Sequence, residues 1–185
     1  SSGWLAYRAP LAAGGDGVFA RNISNPAAPG PVQTLATVGG SGRLSAPGVD
    51  GTSLVYAVAR VGGSRIVQRV LGTRKRRTLV RSGRLLLYSP AIKGRSFVYT
   101  RTDGRRSRLL IRRVDKRGSG KVLYSIKRSR ATLWSASLSQ RFAYVTVLNP
   151  SSASSQARIV KTPRKAAKRG RLGARPPRGG GNHRF

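Results

Sequence analysis

Short apolar runs alternate with polar turn segments along most of the chain. The runs are rich in Val, Ile, Thr, Tyr and Phe, and none keeps a 3.6-residue apolar period over three turns, so they predict β-strands rather than helices. In residues 54–59 and 142–147 both alternating faces are apolar, which is typical of a strand buried between two layers. The run 108–114 carries charge and predicts a more exposed strand. The pattern therefore predicts an all-β protein.

The apolar runs recur with a period of about 44 residues, the size of one β-propeller blade. The most regular copies are Gly51-Thr-Ser-Leu-Val-Tyr56, Gly94-Arg-Ser-Phe-Val-Tyr99 and Ser139-Gln-Arg-Phe-Ala-Tyr144. A degenerate copy ends at Tyr7. We interpret the four tyrosines as core residues because they occupy the same phase of doubly apolar strands.

A second motif precedes each regular copy: Leu44-Ser-Ala-Pro47, Leu87-Tyr-Ser-Pro90 and Leu133-Trp-Ser-Ala136. Further short apolar runs follow each copy, so one repeat holds three or four strand signals. This predicts four-stranded antiparallel blades that cover one another, in a β-propeller or a propeller fragment. The predicted blades are 1–43, 44–86, 87–132 and 133–161. A generic antiparallel sandwich with evenly spaced strands is the alternative, and in either fold Trp134 is interpreted as a packing residue.

The repeat resembles that of TolB-like, WD-repeat-like bacterial propellers. The resemblance rests on Leu-Tyr-Ser-Pro90, the turn at Lys93-Gly94 and the strand Phe97-Val-Tyr99, with Asp50-Gly51 keeping the whole turn signature. It implies a non-enzymatic binding or scaffold module with a protein partner on a propeller face. It also implies a secreted or cell-envelope location, which the missing initiator Met of a processed chain or fragment would fit. Some propellers gate a hydrolase domain, so a gating role stays open.

The charge is strongly positive, with 37 Lys and Arg against 4 Asp and Glu and a formal net charge of +33. Most of the excess lies in residues 73–130 and after residue 157. The predicted loop clusters Arg74, Lys75, Arg76 and Arg77, and Lys116 and Arg117, fall on one propeller face and are candidate polyanion-binding residues. Arg105, Arg106, Lys127 and Arg128 would decorate the opposite face. The alternative is that these basic residues bind nothing and form a solvated surface, whose high Arg content reflects the composition of the genome.

Few residues are suited to catalysis or metal binding. The chain has no Cys, a single His near its end (His183), and four isolated acids. Thiol chemistry and Cys-ligated metals are therefore excluded, and most general acid–base chemistry lacks its residues. No phosphate-binding glycine loop is present. We expect no enzyme activity in this chain, no metal and no cofactor. Asp16-Gly17 and Asp103-Gly104 are interpreted as type I′ hairpin turns.

Two features concern the chain outside the predicted strands. No apolar run approaches the ~20 residues that span a bilayer, so we expect no membrane span. Residues 162–185 are rich in Pro, Gly and cations and have no apolar period, which predicts a disordered tail.

Overall fold

The structure is a computed structural model that describes residues 3–118, 120–127, 131–149 and 156–164. Within these ranges the chain forms strands and no helix, as the sequence pattern predicts. The strands are β1 (Trp4–Pro10), β2 (Asp16–Asn22), β3 (Gln33–Val38), β4 (Arg43–Leu44), β5 (Gly48–Asp50), β6 (Ser53–Arg60), β7 (Gly63–Val70), β8 (Arg76–Ser82), β9 (Leu86–Lys93), β10 (Ser96–Thr102), β11 (Arg106–Arg113), β12 (Lys121–Lys127), β13 (Thr132–Leu138), β14 (Phe142–Asn149) and β15 (Gln156–Pro163).

These strands form four antiparallel sheets in chain order. The first sheet is β1-β2-β3, the third is β9-β10-β11-β12 and the fourth is β13-β14-β15. The second sheet has the order β4-β6-β7-β8, and β5 also pairs with β6. Apart from β4 and β5, strands that follow one another in the chain pair antiparallel within each sheet, so each sheet is a meander of the kind that forms a propeller blade.

The sequence copies occupy equivalent strands in these sheets. The regular tyrosine copies form β6, β10 and β14, and the preceding Leu-containing copies lie in β4, β9 and β13. The turn before the tyrosine strand also repeats, because Gly51 and Gly94 both adopt a left-handed backbone, with φ of 61° and 58°. An L-residue with a side chain resists this conformation, which explains the glycine at both positions. The third copy has Ser139 instead, whose Oγ accepts a hydrogen bond from the N–H of Phe142 (3.0 Å).

The core lies between sheets rather than within one. Along β6, Leu54, Tyr56 and Val58 pack in a cluster shared with the first sheet, whereas Val55 and Ala57 pack in a cluster shared with the third. Strand β10 repeats the arrangement: Phe97 and Tyr99 face the second sheet, and Val98 faces a third cluster that includes the fourth sheet. The doubly apolar pattern is therefore explained by sheets on both sides of these strands.

The two outer sheets depart from the predicted burial of the tyrosines. Tyr56 and Tyr99 are buried, but Tyr7 is 36% exposed and Tyr144 is only half-buried. Tyr7 stacks on Phe19, with ring centroids 5.5 Å apart, and Tyr144 lies against Phe142 at 6.4 Å. The prediction of four core tyrosines is wrong for these two because no further sheet of the described chain covers their faces.

Two predicted boundaries also change. Asp16 and Gly17 lie inside β2, and the turn before them is made by Gly14 and Gly15, both with positive φ. Asp103-Gly104 does connect two hairpin strands, but Gly104 lacks the positive φ that a type I′ turn requires.

Strand β15 continues through Thr162 and Pro163, although the sequence predicts that the disordered tail begins at residue 162. The prediction is wrong for these two residues because the backbone of β15 pairs with β14 as far as Phe142. Residues 165–185, the rest of the predicted tail, lie outside the described residues.

Candidate functional site

A groove of about 830 Å³ runs along the innermost strands of all four sheets. Its lining includes Tyr7 and Arg8 of β1, Arg43 of β4, Leu86 of β9 and Trp134 of β13. Strands β4, β9 and β13 each begin their sheet and have one hydrogen-bonded neighbour within it. The groove therefore joins elements that are more than 120 residues apart in sequence.

The floor of the groove is built from the repeated Leu-containing motif. Leu44, Leu87 and Leu133 are almost completely buried and anchor the three copies. After each leucine the strand is irregular: residues 45–47 separate β4 from β5, and register shifts add one residue to β9 and one to β13. Because a bulge rotates the following side chains, the residues after each leucine face the groove.

Hydrogen bonds fasten neighbouring copies of this motif together. The hydroxyl of Tyr88 donates to the carbonyl of Leu133 (2.8 Å), and Ser89 Oγ donates to the carbonyl of Trp134 (2.5 Å). Ser89 has a φ of 45°, which is unusual for a residue other than glycine. The third and fourth sheets are thus joined at the groove by side chains from one and backbone from the other.

Trp134 is 64% exposed and lines the groove, so its interpretation as a packing residue is wrong. The reason is its position after Leu133, where the register shift turns the side chain away from the core. Arg8 also lines the groove, donates to the carbonyl of Leu44 (3.0 Å) and approaches Asp16 to 3.8 Å. The sequence does not predict Arg8 and Tyr7 as groove residues because they belong to the degenerate repeat. For Trp134, the recurring Leu-containing motif is the sequence feature that could have indicated a groove position.

The predicted basic residues lie in equivalent connections of the second and third sheets. Arg74 and Lys75 are in the β7–β8 turn, Arg76 and Arg77 begin β8, and Lys116 and Arg117 are in the β11–β12 loop. Arg77 donates through Nε to Gln68 Oε1 (2.8 Å). Arg112, which the sequence does not predict as a site residue, lies near both groups of basic residues. Its Nε donates to the carbonyl of Lys116 (2.8 Å).

Arg112 lies where these positive charges meet. Partial burial lowers the pKa of Arg112, and the nearby charge of Arg77 lowers it further against an opposing effect of Tyr99. Its guanidinium also lies over the Phe97 ring, 5.8 Å from the centroid. Arg112 is thus close both to Lys116 of the β11–β12 loop and to Arg77 of β8.

Each of the four carboxylates accepts hydrogen bonds from the described part of the chain. Asp16 accepts the N–H of Leu44 (3.2 Å), and Asp50 accepts Lys93 Nζ (2.6 Å). In Asp103, hydrogen bonds from the N–H groups of Arg106 and Arg105 lower the carboxyl pKa. Hydrogen bonding to Arg113 lowers the pKa of Asp115 to about 2.

Within the described ranges, no three His, Cys, Asp or Glu residues come together in a way that could hold a metal ion. The same part of the chain contains no helix that is long and apolar enough to cross a bilayer.

Comparison with known proteins identifies a similar fold but no family for this chain. No family model matches the sequence, and no curated protein sequence matches it. Among solved structures, the chain is similar to oligopeptidase B from Trypanosoma brucei with covalently bound antipain in its closed form, with a TM-score of 0.58 and 13% sequence identity. The match covers 87% of this chain and 23% of the oligopeptidase chain, so this chain spans about a quarter of that protein. Oligopeptidase B has a β-propeller domain, and the four sheets described here have propeller-type architecture.

Proposed function

We propose that this chain is a non-catalytic propeller module that binds an extended segment of a protein partner in the inner-strand groove. The proposal rests on the groove itself. The groove has a volume of about 830 Å³, residues of all four sheets line it, and the indole of Trp134 is exposed in it. Large aromatic side chains in a concave apolar site are the usual anchors of protein recognition.

The inner strands favour an extended peptide over a compact ligand. The groove passes along β1, β4, β9 and β13 of four successive sheets, so an extended segment lying in it contacts several sheets at once through its side chains. Arg8 and Arg43 at the wall favour a segment that carries an acidic side chain.

We also propose that the repeat is of the TolB-like, WD-repeat-like type. It is supported by the equivalent positions of the Leu-containing motifs and the two glycine turns, at residues 51 and 94. We also propose that this chain has no catalytic role, because all four carboxylates already accept hydrogen bonds from neighbouring groups of the chain.

Selection from a phage-displayed library of random peptides tests the proposal, with Trp134 as an internal fluorescent reporter in a Trp4→Phe background, since Trp4 is the other tryptophan of the chain. Selected peptides should shift Trp134 emission to shorter wavelength. Trp134→Ala should weaken their binding about tenfold or more, because it removes a buried aromatic contact. Ile159→Ala is the matched control, since Ile159 is 73% exposed and does not line the groove. Equal losses from both variants, or peptides that bind without changing Trp134 emission, would contradict the proposal.

The likeness to oligopeptidase B favours one second candidate, a propeller that gates a hydrolase domain. The supporting observation is the TM-score of 0.58 over 87% of this chain. A fluorophosphonate probe applied to the native protein in its source cells tests this idea. A labelled species that antibodies to this chain recognise, and that is heavier than 19.8 kDa, would support gating. A native protein that is not labelled would oppose it.

A further inference from the structure

A small pocket of about 270 Å³ lies at the hairpin that joins β6 to β7 in the second sheet. Three arginines line it: Arg60 at the end of β6, Arg65 in β7 and Arg81 in β8. All four acids of the chain are among the described residues, and none of them lines this pocket. We name it the hairpin pocket. It shares no lining residue with the inner-strand groove, so the two sites are separate.

The strand register places the three arginines on one face of the second sheet. Arg65 is directly opposite Arg81 on one side and Val58 on the other. Arg60 follows Val58 by two residues and therefore points to the same face, because side chains alternate along a strand. Directly opposite side chains have Cβ atoms about 5 Å apart, and like charges in such a pair destabilise the sheet. The fold thus holds together charges that repel one another.

The described part of the chain does not neutralise these three guanidinium groups. The four ion pairs of the described residues involve other cations. The side chains of Arg60, Arg65 and Arg81 donate no hydrogen bond to any described residue. Arg60 and Arg81 are exposed and Arg65 is partly buried, so a solute can reach all three. The hairpin pocket therefore offers three positive charges and their N–H donors to an external anion.

The hairpin pocket has a counterpart in the third sheet, at the hairpin that joins β10 to β11. The two hairpins have the same length and register. Arg65 is opposite the second residue before Arg60, and Arg108 is opposite the second residue before Asp103. Asp103 therefore occupies the position that Arg60 has in the second sheet, and Arg108 occupies that of Arg65.

In the third sheet the chain itself supplies a carboxylate at this place. Asp103 accepts a hydrogen bond from Arg108 Nη1 (2.8 Å) and further bonds from the N–H groups of Arg105 (3.0 Å) and Arg106 (2.7 Å). The residue opposite Arg108 on β12 is Ser125 and not another cation. An anion bound in the hairpin pocket would supply the negative charge that Asp103 supplies here.

The donors of the hairpin pocket favour a phosphate group over a carboxylate. Guanidinium groups are planar forks of N–H donors that match the oxygens of a phosphate in bidentate pairs. A phosphate monoester carries close to two negative charges at neutral pH, whereas a carboxylate carries one, so three arginines are better balanced by phosphate. A pocket of about 270 Å³ is smaller than the sites of drug-sized ligands and suits one such group.

We infer that the hairpin pocket binds a phosphate group through Arg60, Arg65 and Arg81. The group is either a free phosphate ion or the phosphate of a phosphorylated side chain, which share the same chemistry. The pocket lies at the opposite end of β7 from the predicted loop residues Arg74 and Lys75. This binding is independent of the peptide binding proposed above, because different residues form the two sites.

Isothermal titration calorimetry with inorganic phosphate tests the site, in about 0.1 M NaCl to screen weak binding to the general positive charge. The wild type should show one saturable site. Arg65→Gln with Arg81→Gln should raise the Kd about tenfold or more, because it removes two charge-assisted contacts. The matched control, Arg95→Gln with Arg105→Gln, removes the same charge from exposed turns of the third sheet. It should change the Kd less than about twofold.

Arg60→Asp tests the comparison with the third sheet. It places a carboxylate where that sheet has Asp103, so it should raise the melting temperature in phosphate-free buffer and abolish phosphate binding. Arg105→Asp is the control for the general loss of charge, and it should give a smaller rise and leave phosphate binding nearly unchanged. Added phosphate should raise the melting temperature of the wild type more than that of Arg60→Asp, because a ligand stabilises the folded state that it binds.

A peptide with one phosphoserine, compared with its unphosphorylated form, distinguishes the two sources of phosphate. If the phosphopeptide displaces inorganic phosphate at a lower concentration than phosphate itself, the source is a phosphorylated partner; if it does not, the source is the free ion. Circular dichroism verifies that each variant is folded. The site is overturned if the wild type shows no saturable binding, if the control pair weakens binding as much as the pocket pair, or if Arg60→Asp binds phosphate normally.

Discussion

Asp50 joins the second and third sheets through two hydrogen bonds to one turn. Its carboxylate accepts Lys93 Nζ (2.6 Å) and the backbone N–H of Gly94 (2.7 Å). The bond from Lys93, followed by that from Gly94, lowers the pKa of Asp50. A carboxyl whose pKa is lowered on folding stabilises the protein above its unfolded pKa, and this stabilisation is lost as the pH falls through the folded value.

Asp50→Asn should therefore destabilise the protein at neutral pH. The expected loss is limited to about 1 kcal/mol because the pair is partly exposed and screened by solvent. In urea titrations the difference from wild type should stay constant from about pH 8 to pH 5 and shrink below about pH 4, as Asp50 is protonated first in the unfolded state and then, at its lower folded pKa, in the folded protein. Asp115→Asn, in an exposed pair within one sheet, should have no measurable effect. A difference that grew on acidification would contradict this account.

Ser89 combines a bond between sheets with an unfavourable backbone conformation. Its hydroxyl bonds to the carbonyl of Trp134, and its φ is 45°. Ser89→Gly and Ser89→Ala both remove the hydroxyl, but only glycine adopts this conformation without steric cost. Ser89→Ala should thus be less stable than Ser89→Gly by about 1 kcal/mol in chemical denaturation. Equal stabilities would show that residue 89 leaves the left-handed conformation in solution.

The tyrosine strands show how identical elements acquire different roles from their neighbours. Strands β6 and β10 have sheets on both sides and contribute to two cores each. Strand β14 buries Ala143, Val145 and Val147 on one side, while Phe142 and Tyr144 remain half-buried on the other. The same position in the repeat is thus a core position in one sheet and a surface position in another.

Tyr99→Ala and Tyr144→Ala test this difference at equivalent positions. Tyr99 is 1% exposed, so its truncation leaves a cavity and should cost about 3–5 kcal/mol. Tyr144→Ala should cost less than half as much because its ring packs on one side only. Urea denaturation of both variants provides the measurement. If Tyr144→Ala were as destabilising as Tyr99→Ala, the outer face of the fourth sheet would have to be covered in solution.

On the scale of the whole molecule, the net charge of +33 opposes the compact state. The four described ion pairs connect Arg8 with Asp16, Lys93 with Asp50, Arg108 with Asp103 and Arg113 with Asp115, and they engage every acid of the chain. Most cations therefore lack an acidic partner, and their mutual repulsion acts over distances that salt screens.

The melting temperature should consequently rise by several degrees between about 20 and 200 mM NaCl, a range in which the screening length falls severalfold. Differential scanning calorimetry provides the measurement. Sucrose at equal osmolality is the control for general solute effects and should give a smaller rise than NaCl. A melting temperature that did not change with NaCl would show that charge repulsion contributes little to stability.

The sequence by itself determined the all-β class, the repeat and the positions of the equivalent strands. These depend on local features that recur: the apolar alternation of β6, β10 and β14, and the left-handed glycines at 51 and 94. Such features act within a few residues, so a single sequence displays them directly. The basic loops were visible for the same reason, as runs of adjacent cations.

Only the tertiary structure decided which copies are covered and which side chains meet. Tyr99 and Tyr144 look alike in sequence, yet the presence of a neighbouring sheet makes one of them core and leaves the other half-exposed. Trp134 faces the inner groove because a register shift in β13 changes the direction of its side chain. Tyr7 and Trp134 come from the first and fourth sheets, and no sequence spacing brings them to one groove. Packing between sheets creates these sites, because it depends on the position of each surface in space and not on its order along the chain.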